Sequence, residues 1–433
     1  MYSAAIQAVA PGPALALRLQ GVELPTDRRV WILALGKAAG PMAAAAVAAL
    51  RDRGISPAGG VVVGPAPGDS LTPRLSYVQG DHPEPGPGSQ AAAEALARIA
   101  DQVDGTDEVW VLLSGGTTSL IGAPEPGLKP AEFASIYSLL LGSGLDITAM
   151  NRIRKRFSRW GGGKLARALA PATVRVFVVS DVIGDDLASI GSGPCVPDRS
   201  TAAEVHALLE ASGLWHRLPE QARHFVLSAE SGRTAETPKP GDRIFARVTH
   251  QLIASNRLAL DAAARRAREL GITAVVQDAL LSGEASRVGA EIAGALLHNC
   301  ARHFVPQLNS SAGSCWIWGG ETTVSLGEGT PGQGGRCQEL ALAAAKLLAE
   351  APEGAALLAA GTDGRDGPTD AAGAVVDSRT WRGIIQAGRD PSLDLETHNA
   401  YVALDAAGAL LRPGLTGTNV MDVVIGLCPP GSR

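Results

Sequence analysis

Five glycine-bearing turns in this sequence hold the side chains suited to phosphate chemistry. The first is Leu35-Gly36-Lys37-Ala38-Ala39-Gly40, where a lysine directly follows an apolar run. Only six of the 38 basic residues are lysines, so a lysine placed here is more than surface decoration. Its compact charge suits a phosphate oxygen, although the same position also fits a solvated helix-start lysine. The second turn, Leu113-Ser114-Gly115-Gly116-Thr117-Thr118-Ser119, surrounds two glycines with hydroxyls. Backbone amides and hydroxyls together make a cradle for phosphate or carboxylate, and they also make an ordinary capped helix start.

The third turn, Val179-Ser180-Asp181-Val182-Ile183-Gly184-Asp185-Asp186, sets three acids after a strand-like run and precedes Gly191-Ser192-Gly193-Pro194. Carboxylates at strand ends can hold Mg²⁺ through one or two ligands completed by substrate oxygens and water. Helix capping accounts for at least one of them. The fourth turn is Gly319-Gly320-Glu321-Thr322-Thr323-Val324, followed by the loop Gly332-Gln333-Gly334-Gly335-Arg336-Cys337-Gln338-Glu339. An arginine opening a helix there is well placed to face a phosphoryl group. The fifth, Gly361 to Asp370, packs Asp363, Asp366 and Asp370 with two threonines and Arg365 into ten residues. Two familiar signatures fail. A dinucleotide fingerprint at the first turn would need glycines where Ala34 and Ala39 stand, and Gly161-Gly162-Gly163-Lys164 lacks a Walker glycine at Ser158 and a hydroxyl at Leu165. The histidines give no Ser-His-Asp order, and only His82 and His398 sit in turn-like contexts.

These turns need strands and helices to carry them. Short β-branched runs at 30–35, 60–63, 109–113 and 174–179 alternate with Ala- and Leu-rich stretches at 41–53 and 91–101. That alternation predicts a parallel sheet covered by helices on both faces. In such sheets ligands gather where strands end in loops that open helices, and helix N-termini attract anions. Residues 65–88 read as loop, and 219–242, rich in Pro, Gly and charge, as a linker or surface excursion. Beyond it, helices are expected at 258–270, 284–303 and 338–350. Strands are expected at 272–277, 314–318, 355–360, 408–411 and 423–426. The reading is therefore an α/β fold of two domains, 1–240 and 241–433.

Size and composition agree with two cores. The chain has 433 residues, 45% of them hydrophobic, and 52 glycines. A net charge of −5 argues against a general polyanion binder such as a nucleic-acid protein. The one dense basic stretch, residues 152–159, also reads as a solvated helix face. Five cysteines without a CxxC spacing point to reduced thiols, and with them a cytoplasmic location, rather than a disulfide framework or structural zinc. No run is long or apolar enough to suggest secretion or membrane insertion.

Taken in order, the motifs resemble the glycerate 2-kinase family, whose C-terminal half is known as the MOFRL domain. The matching segments are Gly36-Lys37-Ala38-Ala39, Asp81-His82-Pro83, Ser114-Gly115-Gly116, 151–166, 180–198, 319–323, 335–339, 361–377 and Thr416-Gly417-Thr418-Asn419, which together span nearly the whole chain. The resemblance implies transfer of the ATP γ-phosphoryl group to the 2-hydroxyl of D-glycerate with Mg²⁺. It also implies a Rossmann-like N-terminal domain and a cleft between the domains. It points to Lys37 and Arg336 as catalytic residues. Ser114, Gly115, Gly116, Arg154, Glu321 and Thr322 are the candidates for holding substrate or phosphate. Asp181, Asp186 and Asp363 are the candidates for holding Mg²⁺ or taking the hydroxyl proton, with no choice among them. The expected partners are D-glycerate and ATP, in a monomer or homodimer. Three departures from the family pattern stand out: Thr117-Thr118 for Gly-Ser, Cys337 for Asn, and Arg156-Phe157 for His-Leu. Two other functions remain open, an NAD(P)H-dependent hydroxypyruvate or tartronate reductase and a non-catalytic nucleotide-binding regulator.

Overall fold

The computed structural model describes residues 1–24, 28–68, 70–303, 313–327, 332–350 and 354–429. The chain forms two compact units, residues 11–253 and residues 1–10 with 254–433.

In the unit formed by residues 11–253, the strands are β1 (Val30–Leu35), β2 (Gly59–Gly64), β3 (Leu75–Gln79), β4 (Glu108–Leu113), β5 (Thr173–Val179) and β6 (Val248–Ala254), and they lie in the order β3-β2-β1-β4-β5-β6. Pairing is parallel from β3 through β5. Every residue of β1, β2 and β4 is buried, so these strands read as continuous apolar runs rather than alternating ones. Leu35 pairs with both Val63 and Leu113, which brings the turns after β1 and β4 to the same level. Strand order reverses between these two strands, and their carboxyl ends are therefore the switch point at which α/β sheets bind ligands.

A satellite core sits beside this sheet. Helices Pro130–Leu141, Ile147–Phe157, Ala202–Ala211 and Glu220–Glu230 close over Phe133, Tyr137, Phe157, Trp215 and Val226. The last of these helices lies inside the stretch read as a linker. Ala222, Val226 and Ala229 are buried at helical spacing, and Pro219 stands at the N-cap, so the proline starts the helix instead of forbidding one. The strand β3 was hidden for a related reason: it is a half-exposed edge strand between Pro- and Gly-rich turns. The near-Walker lysine has a structural task. Lys164 Nζ donates to the carbonyls of Lys155 (3.0 Å), Arg156 (3.2 Å) and Ser158 (2.6 Å), closing the C-terminus of helix Ile147–Phe157.

The second unit also carries a sheet of six strands, β7 (Thr273–Val276), β8 (Ser314–Gly320), β9 (Ala356–Gly361), β10 (Gly373–Asp377), β11 (Leu410–Leu411) and β12 (Asp422–Cys428), in the order β11-β10-β9-β12-β8-β7. Only β7 and β8 pair in parallel; β12 runs antiparallel to both β8 and β9. Helices Ala285–His303 and Arg336–Leu348 pack on it through alanines and meet each other at Gly289, where a Cβ would collide with the Leu340 carbonyl. The first ten residues belong here because Tyr2 Oη donates to Gly361 O (2.6 Å) and Val9 O accepts from Thr418 Oγ1 (2.8 Å). The sequence boundary near 240 thus sits short of the division after Ile253, at the end of β6.

Cysteine spacing misleads in one place. Cys300 and Cys428 form a disulfide with Cα atoms 5.6 Å apart, while Cys195, Cys315 and Cys337 are free and buried. The expectation that all five are reduced thiols is corrected: the fold brings together two residues separated by 128 positions. Among the described residues, no helix is long and apolar enough to cross a membrane.

One buried amide fixes the start of β12. Asn256 Nδ2 donates to the carbonyls of Val420 (2.8 Å) and Asp422 (2.9 Å). Asn256→Ala leaves two buried acceptors unpaired, and its unfolding free energy in urea titrations should fall by about 2 kcal/mol.

Candidate functional site

In the first unit the site is built where the β1 and β4 turns meet. Gly36 (φ 116°) lies so close to Ser114 that a Cβ would collide with its hydroxyl and carbonyl. Lys37 N–H then donates to Gly115 O (2.9 Å) and Ala38 N–H to Ser114 Oγ (3.0 Å). The hydroxyls of the second turn shape it from within. Thr117 Oγ1 donates to Ser114 O (2.8 Å), Ser119 Oγ donates to Gly116 O (3.1 Å), and Thr118 Oγ1 bonds Ser192 Oγ (3.0 Å). Ser114 Oγ is therefore a tie between turns rather than a free ligand group. The amides of Gly115, Gly116, Thr117 and Thr118 find no acceptor among the described residues. They form a nest of N–H groups of the kind that can hold an anion, with Gly116 left-handed at φ 82°.

Three side chains converge on this nest. A Cβ on Gly116 would stand 3.2 Å from Lys37 Cγ and 3.2 Å from His82 Cδ2, and one on Gly115 would collide with the Asp181 carboxylate. Burial pushes the Asp181 carboxyl up, opposed by its own N–H and by Lys37. Burial and then Lys37 push the His82 imidazole down, favouring its neutral form. Asp81 fixes the turn that carries His82 by accepting the Ser89 N–H (3.0 Å) at the start of helix Pro87–Ala100. His82 was noticed in the sequence for its context but given no role. Its contact with Gly116 is a product of topology.

The other sequence candidates separate. Asp186 is exposed and caps its own turn, accepting from Ala188 N–H (3.1 Å) and Ser189 Oγ (2.6 Å). Arg154 turns to the satellite core. Its guanidinium stacks 5.2 Å from the Tyr137 ring centroid, and its Nη2 reaches Met150 Sδ at 4.0 Å.

The second unit gathers a different set. Arg336 opens helix Arg336–Leu348 and forms a bidentate pair with buried Asp422, Nε to Oδ2 at 2.6 Å and Nη2 to Oδ1 at 2.9 Å. Nη1 meets Glu321 Oε1 at 2.8 Å. Burial opposes its charge, but the pairing with Asp422 and the nearby Glu321 outweigh that and raise its pKa. The helix N-terminus itself is filled, because Asp366 accepts from Cys337 N–H (3.2 Å) and Gln338 N–H (2.8 Å). The Gly-Gly-Arg loop therefore offers a guanidinium, while the first helix amides are taken by Asp366. Asp363 lies beside the start of β12, close to Gly361 with Asp422 near the same glycine, and accepts the Arg365 N–H (3.1 Å). Thr322 Oγ1 is buried without a partner. Cys337 is buried with its thiol beside the Asp422 carboxylate that pairs with Arg336, and burial, then Asp422 and Asp366, push the thiol up.

Among the described residues no three His, Cys, Asp or Glu side chains converge as a cage for a metal. Mg²⁺ bound with substrate phosphates needs only one or two carboxylates. Asp181 beside the nest meets that lesser requirement.

Asp366 provides a test through pH. Burial pushes its carboxyl up to about 7 from an ordinary 3.8, with the two helix amides opposing. A raised folded-state pKa contributes stability that is full below the unfolded value and is lost as pH rises through about 7. The melting temperature of the native chain minus that of Asp366→Asn should therefore fall between pH 5 and pH 8; a constant difference contradicts this assignment.

Residues 1–227 match the DUF4147 domain of unknown function, and residues 314–422 match the MOFRL family. The chain is 36% identical over 412 residues to a glycerate 2-kinase of Pyrococcus horikoshii, covering 94% of this chain and 89% of that one. It is also 36% identical over 423 residues to a putative hydroxypyruvate reductase of Agrobacterium vitis, covering 98% and 92%. The crystal structure of glycerate kinase from Thermotoga maritima superposes with a TM-score of 0.88 at 36% identity, covering 99% of this chain and 97% of that chain. With both family models matched in order and full-length relatives aligned from end to end, the chain belongs to the DUF4147–MOFRL family of glycerate 2-kinases.

Proposed function

We propose that this enzyme transfers the γ-phosphoryl group of ATP to the 2-hydroxyl of D-glycerate, giving 2-phosphoglycerate and ADP. The observation that carries the proposal is the open amide nest 115–118 with Lys37 and Asp181 against it, at the switch point of a sheet that lacks a dinucleotide fingerprint. Phosphoryl transfer asks a protein for alignment and charge stabilisation rather than covalent chemistry. The nest amides hold phosphate oxygens, and the Lys37 ammonium stabilises charge on the transferred group. Asp181 receives the proton of the attacking hydroxyl or contributes an oxygen to Mg²⁺. When bound, Mg²⁺ neutralises charge on the phosphates. Neutral His82 offers a hydrogen bond beside Lys37 without adding a competing charge.

Arg336 is the second proposed catalytic cation. Asp422 and Glu321 engage three of its five N–H bonds and fix its plane, and two N–H bonds remain for an anion. Asp363 sits near this pair and is the less favoured candidate for the metal or the proton, because no lysine or open nest adjoins it.

The test is ADP release from ATP, Mg²⁺ and D-glycerate, followed by enolase, which consumes the 2-phosphorylated product directly. Rapid enolase turnover without a mutase is expected. NADH oxidation by hydroxypyruvate with no ADP release would instead make the chain a reductase. Lys37→Ala should lower kcat about a hundredfold or more while melting near the native temperature, and Arg336→Lys should lower it as much while losing some stability with the bidentate pair to Asp422. Near-normal turnover in both removes them from the mechanism.

A further inference from the structure

A groove of about 730 Å³ on the first unit is lined by Asn151, Arg152, Lys155, Asp186, Asp198 and Arg199, among others. Two of these residues are unusual. Asn151 and Lys155 stand one turn apart on helix Ile147–Phe157, and so on one face of it. They are 6% and 7% exposed. Among the described residues, neither head group has a hydrogen-bond or ion-pair partner, and the space both line is this groove. An ammonium on a largely buried side chain is costly where nearby carboxylates compensate it only in part. Burial pulls the Lys155 pKa down, with Asp198 and Asp186 only partly opposing.

The acids of the groove are engaged elsewhere. Asp198 accepts from Ser200 N–H (3.1 Å), Ser200 Oγ (2.9 Å) and Thr237 Oγ1 (2.9 Å), and Asp186 is held by its own turn. Arg152 and Arg199 at the rim are exposed and form no ion pair among the described residues. The groove thus holds satisfied carboxylates and unsatisfied cations. It is also coupled to the nest. A Cβ on Gly161 would lie 3.4 Å from Ser192 Cβ and 3.6 Å from Lys155 Cα, and Ser192 is the residue that bonds Thr118.

We propose that this groove seats the acceptor substrate, with Lys155 Nζ and the Asn151 amide binding the carboxylate of a small 2-hydroxy acid. One ammonium and one neutral amide suit a single negative charge. Asp185, Asp186, Asp198 and Glu204 on the same lining would repel a polyphosphate but can accept from hydroxyls. The inference rests on the kinase reading for the identity of the acid, and it adds residues that the turn motifs did not single out.

Lys155→Met and Asn151→Leu test it. Each should raise KM for D-glycerate at least about tenfold, the loss of a charge-assisted or buried hydrogen bond, with KM for ATP within about twofold of native. Lys155→Met should melt at or above the native temperature, since it removes a charge that burial disfavours and nearby carboxylates compensate only in part; a purely structural lysine would lower it. Titration calorimetry with D-glycerate alone should show binding to the native chain and at least tenfold weaker binding to Lys155→Met. Unchanged D-glycerate KM and affinity overturns the proposal, as does a rise confined to ATP, which would make the groove a nucleotide seat. If the native chain releases no ADP with D-glycerate, the kinase reading fails on its own, and D-glycerate calorimetry still decides the groove.

Discussion

The approach of the β1 turn to the β4 turn is the constraint on which the rest depends. Gly36 permits it because any side chain there would strike Ser114. The contact is then locked by Lys37 N–H to Gly115 O and Ala38 N–H to Ser114 Oγ. Once the turns are joined, the Lys37 backbone is held beside Gly115, and among the described residues the amides of 115–118 have no carbonyl to satisfy them. A helical or strand partner for those amides would remove the site. The fold therefore carries several unsatisfied donors at its switch point, as expected where an anion supplies the missing acceptors.

The second unit follows a different logic. Its helix N-terminus is closed by Asp366 and its arginine is bound by Asp422 and Glu321. Such pairing costs free charge but fixes the guanidinium plane, which a flexible arginine lacks. Asn256 extends the same chain of restraint by holding the carbonyls on either side of Met421, at the entry to β12.

Much of the fold was legible because buried parallel strands are apolar without interruption. The runs at 30–35 and 109–113 show that property, 174–179 shows it apart from Arg175, and each strand end carried the expected turn. What failed to show were elements whose signal is tertiary. Edge strand β3 and the short β10 depend on their neighbours, and helix Glu220–Glu230 was masked by the proline that begins it. The antiparallel run of β12 between β8 and β9 cannot be read from local pattern, because parallel and antiparallel strands share it. In the site, charge type and glycine spacing pointed to Lys37, Ser114–Gly116 and Arg336. The hydroxyls of Ser114, Thr117 and Ser119 are spent inside the turns, which leaves the backbone amides to face a ligand. Arg154 lies in a segment that matches the family, yet the helix turns it to Tyr137 while Lys155 lines the groove. A residue's neighbour on a helix faces about 100° away, and the basic cluster alone does not say which member faces the ligand.

The central claim is that the switch-point nest of the first unit receives the phosphates. A crystal structure with Mg²⁺ and a non-hydrolysable ATP analogue tests it most directly. Phosphate oxygens should lie about 3 Å from the amides of Gly115, Gly116, Thr117 or Thr118, with Lys37 Nζ on the terminal phosphate. A triphosphate bound elsewhere, with these amides facing only water, would contradict the account.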